Sequence, residues 1–319
     1  MHAHVIPDRF SERDGWPRIE RDGGARLLVS GSLRFNARDA FFDAGRRLEA
    51  MDASGVDAEV VSPMPPLLDY AQPPDDGREL CRAINEFIAR LCEVAPRRLL
   101  GLGTVPLQDP DLAARELAEV RGAGLSGVEI GSNVAGRSLG EERFLGFFQE
   151  AERLRVPVFV HALGPTFGDR LPGPAMASFG FATEIALAAA SIVTGGTAAR
   201  CPDLRLAFSH GAGGFPLMLT RAQWFWGGTW DEAPPAEPRE GPSPAEYARR
   251  FYYDTLVFDR RALRYLVDMI GARRLLVGTD FPAMPREQPA GRTLMALGLP
   301  ADVLEDITWN NCVRFLGLE

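Results

Sequence analysis

The chain has 319 residues, 46% of them apolar and 24% charged, with 35 basic residues against 43 acidic ones and a net charge of −8. This composition excludes a disordered, collagen-like or coiled-coil chain. With no basic run, it also argues against nucleic acid or an anionic membrane surface as the main partner. All 35 basic residues are arginine, so no lysine can form a Schiff base, line a phosphate loop or bridge two metals as a carbamate.

His2 and His4 open the chain as an H-x-H pair. On a strand, residues i and i+2 point to the same side, so both imidazoles can grip one cation. Residues 9–45 are rich in Arg, Asp and Gly, with one short β-like run at Ala25–Val29, and read as a small insertion after the first strand. After residue 50, short apolar runs alternate with longer amphipathic ones. The predicted strands are Val56–Ser62, Leu99–Pro106, Gly127–Ser132, Pro157–Ala162, Leu204–Gly211, Phe251–Leu256 and Leu275–Pro282. The predicted helices include Glu79–Val94, Leu112–Gly122, Glu142–Leu154, Glu184–Thr194 and Arg260–Ile270. Residues 224–246 break the pattern, with Trp224, Trp226 and Trp230 followed by a Pro/Glu/Gly-rich stretch that reads as a lid or an oligomer contact.

Strands alternating with helices imply parallel strands joined by crossover helices. Seven candidates plus the N-terminal one approach the eight of a (β/α)8 TIM barrel, although a doubly wound sheet alternates in the same way. Barrels of roughly 250 residues form single domains, so residues 1–319 read as one barrel domain carrying the 9–45 insertion. Cys81, Cys92, Cys201 and Cys312 form no CxxC pair and read as reduced thiols of a cytoplasmic protein. The polar N-terminus does not read as a signal peptide, and no apolar run approaches the ~18 residues that span a membrane.

The polar residues at the strand ends favour the barrel. His161 ends the run from Pro157, His210 ends the run from Leu204, and Asp280 ends the run from Leu275. A barrel aims side chains at the C-terminal ends of its strands into the mouth, so His2, His4, His161, His210 and Asp280 would converge there. Imidazole and carboxylate together suit one divalent metal: zinc first, with manganese, iron or cobalt also possible. A metal with open positions lowers the pKa of bound water toward ~7, and a histidine not committed to the metal can take that proton. A lone histidine after a strand is usually structural. All four histidines of the chain together with an aspartate are hard to assign to packing.

The constellation resembles the amidohydrolase superfamily, and within it the metal-dependent decarboxylase branch that includes aminocarboxymuconate semialdehyde decarboxylase. The resemblance is carried by Met1–Pro7, Arg46–Asp57, Thr104–Asp109, Gly127–Gly131, Phe208–Pro216, Val277–Pro282 and Asn311–Phe315. The His-Gly-x-Gly-Gly-Phe-Pro and Gly-Thr-Asp-Phe-Pro stretches are its most specific parts. It implies that His2, His4, His161 and Asp280 hold the metal while His210 acts as acid and base on metal-bound water. It also implies that Arg221 reaches across a homodimer interface to a substrate carboxylate, for which a guanidinium fork is suited. The implied function is decarboxylation of a small unsaturated or aromatic carboxylate. The alternative is hydrolysis of a lactone, ester or amide in the same site, and a degenerate, non-catalytic barrel is the third reading.

Three departures from the family pattern carry expectations. The H-x-H pair starts at residue 2, so the first strand is short, and ligands near a fraying end would hold metal poorly. Ala162-Leu163 stands where the branch has a proline and an aromatic residue, so the pocket should differ there. Phe35, with Arg34 beside it, stands where the branch has a second substrate-binding arginine, so a second acidic group on the substrate would be absent or bound differently.

Overall fold

The computed structural model of the protein describes residues 1–173, 175–227 and 241–318. In chain order the elements begin with β1 (His2–Val5), followed by β2 (Arg18–Asp22), β3 (Ala25–Ser30), β4 (Leu33–Ala37), α1 (Ala44–Ala53), β5 (Glu59–Pro63), α2 (Pro74–Glu93), β6 (Leu99–Gly103), α3 (Pro110–Gly122) and β7 (Gly127–Gly131). The short ribbon β8 (Asn133–Val134) and β9 (Arg137–Ser138) follows, then α4 (Leu145–Leu154), β10 (Val158–His161), α5 (Phe181–Thr194), α6 (Thr197–Arg200), β11 (Leu206–Phe208), α7 (Phe215–Gly227) and α8 (Pro244–Ala248). The last part holds β12 (Tyr252–Asp254), α9 (Arg260–Ile270), β13 (Leu275–Leu276), β14 (Gly278–Phe281), α10 (Arg292–Met295), α11 (Ala301–Glu305) and α12 (Asn311–Leu316).

One sheet carries the strand order β13-β12-β11-β10-β7-β6-β5-β1-β14, and every pairing in it is parallel. β13 and β14 are halves of one strand interrupted only at Val277, so the sheet closes on itself as an eight-stranded barrel. Three of the crossover helices start on aspartate side-chain caps. Asp43 accepts from the Arg46 amide at α1, Asp109 from Leu112 at α3, and Asp259 from Arg261 and Ala262 at α9, each satisfying helix donors that have no intrahelical partner.

Two apolar layers hold the barrel. The larger fills the space between strands and helices. The smaller fills the barrel's interior, with Val60, Leu102, Phe159, Ala207, Tyr252 and Leu276 pointing inward onto Phe315 and Leu316 of α12. The Tyr252 and Phe315 rings meet edge to face at 5.3 Å. This packed floor closes the N-terminal end of the barrel and leaves the C-terminal mouth for polar groups.

Two parts differ from the sequence reading. The insertion is a three-stranded antiparallel sheet, β2-β3-β4, rather than one isolated β-like run, and residues 44 and 45 already belong to α1. The helical stretch Met176–Thr194 is long and apolar enough to cross a membrane by length and composition, with mean hydropathy 1.6 over its window, against the expectation that no run approaches that length. Its Ile185, Ala188, Ala189 and Ile192 are buried in the core, and its Glu184 accepts a hydrogen bond from Asn133 at 2.9 Å, the packing of a helix laid on the barrel.

Candidate metal centre

β1 delivers the first two candidates. All four of its residues are buried between β5 and β14, with His4 in register with Ser62 and His2 with Gly278. The Met1 nitrogen donates to Val277 O at 2.7 Å, and the fully buried Arg47 of α1 donates to the His4 carbonyl. The expected fraying of this short strand is therefore corrected: two neighbouring strands and a guanidinium fix it. His161 ends β10, and Asp280 lies in β14 with φ 52°, a left-handed backbone that costs a non-glycine residue of order 1–3 kcal/mol.

His2, His4, His161 and Asp280 come together, their ligand atoms all within 4.8 Å of one another. His2 Nε2 is 3.1 Å from His4 Nε2 and 2.9 Å from His161 Nε2, and His4 Nε2 is 3.0 Å from Asp280 Oδ1. The other ring nitrogens are all committed. His4 Nδ1 donates to Pro63 O at 2.9 Å, His161 Nδ1 to Ala162 O at 2.8 Å, and His2 Nδ1 to Asp254 Oδ2 at 2.6 Å. A neutral imidazole has one N–H, so these bonds leave the Nε2 atoms as lone pairs aimed at each other. Such an arrangement repels itself unless a cation sits among the donors, and nitrogen and carboxylate donors of this kind suit a divalent metal. The set therefore fits a divalent metal ion.

The electrostatics agree. Burial lowers the His4 pKa most strongly, but the hydrogen bond to Asp280, the charges of Glu129 and Asp280 and the Pro63 carbonyl together outweigh it, and the net shift is upward. Burial would raise the Asp280 carboxyl, yet His4 and the other rings hold it well below the usual carboxylate range. His161 is pushed well down by burial and then by His2 and His4 beside it. The cluster thus draws positive charge to its centre but cannot spread it over every ring.

His210 stands beside this group, its ring centroid 5.1 Å from His2 and 5.3 Å from His161. It follows β11 in a turn where His210, Gly211, Ala212 and Gly213 have φ of 51°, 57°, 57° and 56°. Burial, then His2 beside it, push its pKa down, which favours the neutral ring.

Arg221 is not brought to the cluster within one chain. It lies exposed on α7, its guanidinium 5.0 Å over the Phe225 ring. Trp224 and Trp226 are half-buried on the same helix, while Trp230 and the stretch 228–240 lie outside the described residues. Arg34 pairs with Glu20 at 2.7 Å on the insertion surface, and Phe35 meets Phe41 edge to face at 5.5 Å.

Three features escaped the sequence reading. Asp254 ends β12, fully buried, and grips His2. In the sequence it falls inside the predicted run Phe251–Leu256 rather than closing it, so nothing there singled it out. Glu129 sits fully buried in β7, and neither of its oxygens meets a donor among the described residues, the Ser62 hydroxyl being turned to Ala3 O at 3.1 Å. Burial pushes its carboxyl up to about 7. Finally, Arg47 binds Glu59 at 2.5 Å, Arg286 binds the other Glu59 oxygen, and Arg286 stacks 4.1 Å over the ring of Phe281, next to Asp280.

Comparison with known proteins agrees with this geometry. Residues 1–318 match the amidohydrolase family. The 2-amino-3-carboxymuconate-6-semialdehyde decarboxylase of Dictyostelium discoideum is 28% identical over 330 residues, covering 100% of this chain and 91% of its own. The gamma-resorcylate decarboxylase of Rhodococcus jostii is 29% identical over 255 residues, covering 74% of this chain and 76% of its own. Among solved structures, 5-carboxyvanillate decarboxylase from Sphingomonas paucimobilis superposes with TM-score 0.79 at 27% identity, covering 89% of this chain and 87% of its own.

Proposed function

The chain belongs to the amidohydrolase family, and from that membership we propose that it is a metal-dependent decarboxylase of a small unsaturated or aromatic carboxylate. The observation that carries this reading is His210: a neutral imidazole held just outside a His/His/His/Asp cluster, close enough to serve whatever the cluster binds. Three similar proteins are named for decarboxylating a muconate semialdehyde, a resorcylate and a vanillate, which supports decarboxylation over hydrolysis.

In this scheme His2, His4, His161 and Asp280 hold one divalent cation, zinc being our first choice with manganese, iron and cobalt as alternatives. When bound, that cation supplies Lewis-acid stabilisation of negative charge on the substrate. His210 takes up a proton and delivers it to the carbon that bears the carboxylate. As the C–H bond forms, the C–C bond to the carboxylate breaks, its electron pair returns to the π system, and carbon dioxide leaves. The apolar floor beneath His2, whose ring lies 5.2 Å from Phe159, keeps water from entering from below.

We further propose a homodimer in which Arg221 of one subunit serves the mouth of the other. Arg221 stands away from its own cluster, on a helix that exposes Leu217, Met218 and Phe225, and a wet apolar strip of this kind favours a protein contact. We place the activity in the cytoplasm, where the four free cysteines stay reduced.

Carbon dioxide release from a panel of hydroxybenzoates and unsaturated carboxylates tests the reaction. Release that stops on chelation and returns with added zinc or manganese is expected. Opening of lactones with no carbon dioxide from any acid would overturn it in favour of hydrolysis.

A further inference from the structure

We propose that Asp254 is a positioning residue that couples the two working histidines: one carboxylate oxygen orients His2 for the cation, and the other anchors the turn that carries His210. This rests on the site reading given above.

Asp254 is fully buried at the end of β12. Its Oδ2 accepts from His2 Nδ1 at 2.6 Å. Its Oδ1 accepts from the amides of Gly211 and Leu256, each at 3.0 Å. Every one of these bonds is charge-assisted, the strong class of hydrogen bond. The room for the carboxylate comes from Gly278 on β14, where a Cβ would fall 2.8 Å from Asp254 Cβ, Cγ and Oδ2. The bond to His2 fixes the proton on Nδ1 and leaves Nε2 for metal. The bond to Gly211 spans from β12 to the short 3-10 turn after β11, where four successive residues have positive φ. Gly213 N donates to His210 O at 2.8 Å within the turn, and the Ser209 hydroxyl accepts from Ala162 N of the neighbouring strand end at 3.2 Å, so Asp254 supplies the turn's tie to β12. A single side chain thereby sets both the ligand and the proton carrier.

Two variants separate the two oxygens. Asp254→Asn keeps a carbonyl oxygen for the Gly211 and Leu256 amides but turns an NH2 toward His2, forcing the His2 proton onto Nε2. Asp254→Ala removes both anchors. Zinc affinity by chelator competition, and the resonances of isotope-labelled histidine in zinc-loaded protein, read the outcome, because the chain has only four histidines to assign. We expect Asp254→Asn to weaken zinc binding about 10–100-fold while leaving the His210 resonance in place. We expect Asp254→Ala to weaken zinc similarly and to move His210 as well. Unchanged zinc affinity in Asp254→Asn, or an unmoved His210 in Asp254→Ala, would overturn the proposal. If Asp254→Ala does not fold, wild type decides: the His2–Asp254 bond requires a strongly deshielded Nδ1–H proton belonging to His2, and its absence also overturns the proposal. No substrate enters these measurements. A wild type that binds zinc but releases no carbon dioxide therefore defeats the decarboxylase reading and not this one.

Discussion

His210 and Asp280 both have left-handed backbones, with φ of 51° and 52°, so both candidate site residues carry backbone strain that surrounding bonds must hold. If His210 serves the substrate and not the cation, His210→Ala retains metal and loses turnover by about 10²–10⁴-fold. Metal content and kcat measured on the same preparation check this, and loss of metal would make His210 a ligand. Glu129 gives a pH prediction. Its carboxyl lies at about 7 in the folded chain against an ordinary 4.5. Below the ordinary value both states carry the proton. Between the two values the unfolded chain releases it and the native chain keeps it, so stability falls as pH rises, by up to about 3 kcal/mol above pH 7. Glu129→Gln abolishes that dependence. In chelated protein, the stability gap between this variant and wild type should be wider near pH 8 than near pH 5, as denaturant melts will show. An equal gap would mean that Glu129 has a partner.

Arg47 of α1, Glu59 of β5 and Arg286 of the loop after β14 tie three elements together behind the metal strand. Removing the central charge leaves two buried guanidiniums uncompensated, so Glu59→Gln should cost about 3–5 kcal/mol, measured by chemical denaturation. A loss below 1 kcal/mol would show that water or other acceptors already serve the arginines. Much of the barrel was legible in the sequence for a physical reason. Parallel strands buried on both faces read as continuous apolar runs, and β10, β11 and the pair β13 and β14 fall inside the predicted runs Pro157–Ala162, Leu204–Gly211 and Leu275–Pro282. The insertion was harder. β2 is Arg18–Asp22, mostly charged and exposed, which hides its alternation, although Gly23-Gly24 at φ 52° and 92° marked the hairpin turn. α7 went unread because Leu217, Met218 and Phe225 stay exposed on it, so no polar face set off an apolar one. Among the site residues the histidines stood out by scarcity. Asp254, Glu129 and Arg47 did not, because Asp, Glu and Arg are common and only burial makes these three unusual.

At the scale of the whole molecule, the proposed homodimer, in which Arg221 of one subunit serves the other's site, makes a prediction that one chain cannot satisfy. Arg221→Ala and His210→Ala subunits are each expected to be nearly inactive alone. After subunit exchange, half of the dimers are mixed, and each mixed dimer holds one site with both residues intact, so about a quarter of wild-type activity returns. Activity assays on the mixture, with sedimentation to count subunits, check this, and no recovery would place Arg221 in service of its own chain or of none. The packed interior layer has a consequence for how such a protein changes over time. With Phe315 and Leu316 stoppering one end, the barrel is a cup with a single rim. The head of any bound molecule is gripped by strand ends that cannot shift without breaking the wall. Its tail must rest among the loops, which tolerate revision. Preference for one acid over another can therefore drift along the rim while the chemistry at the bottom of the cup stays the same.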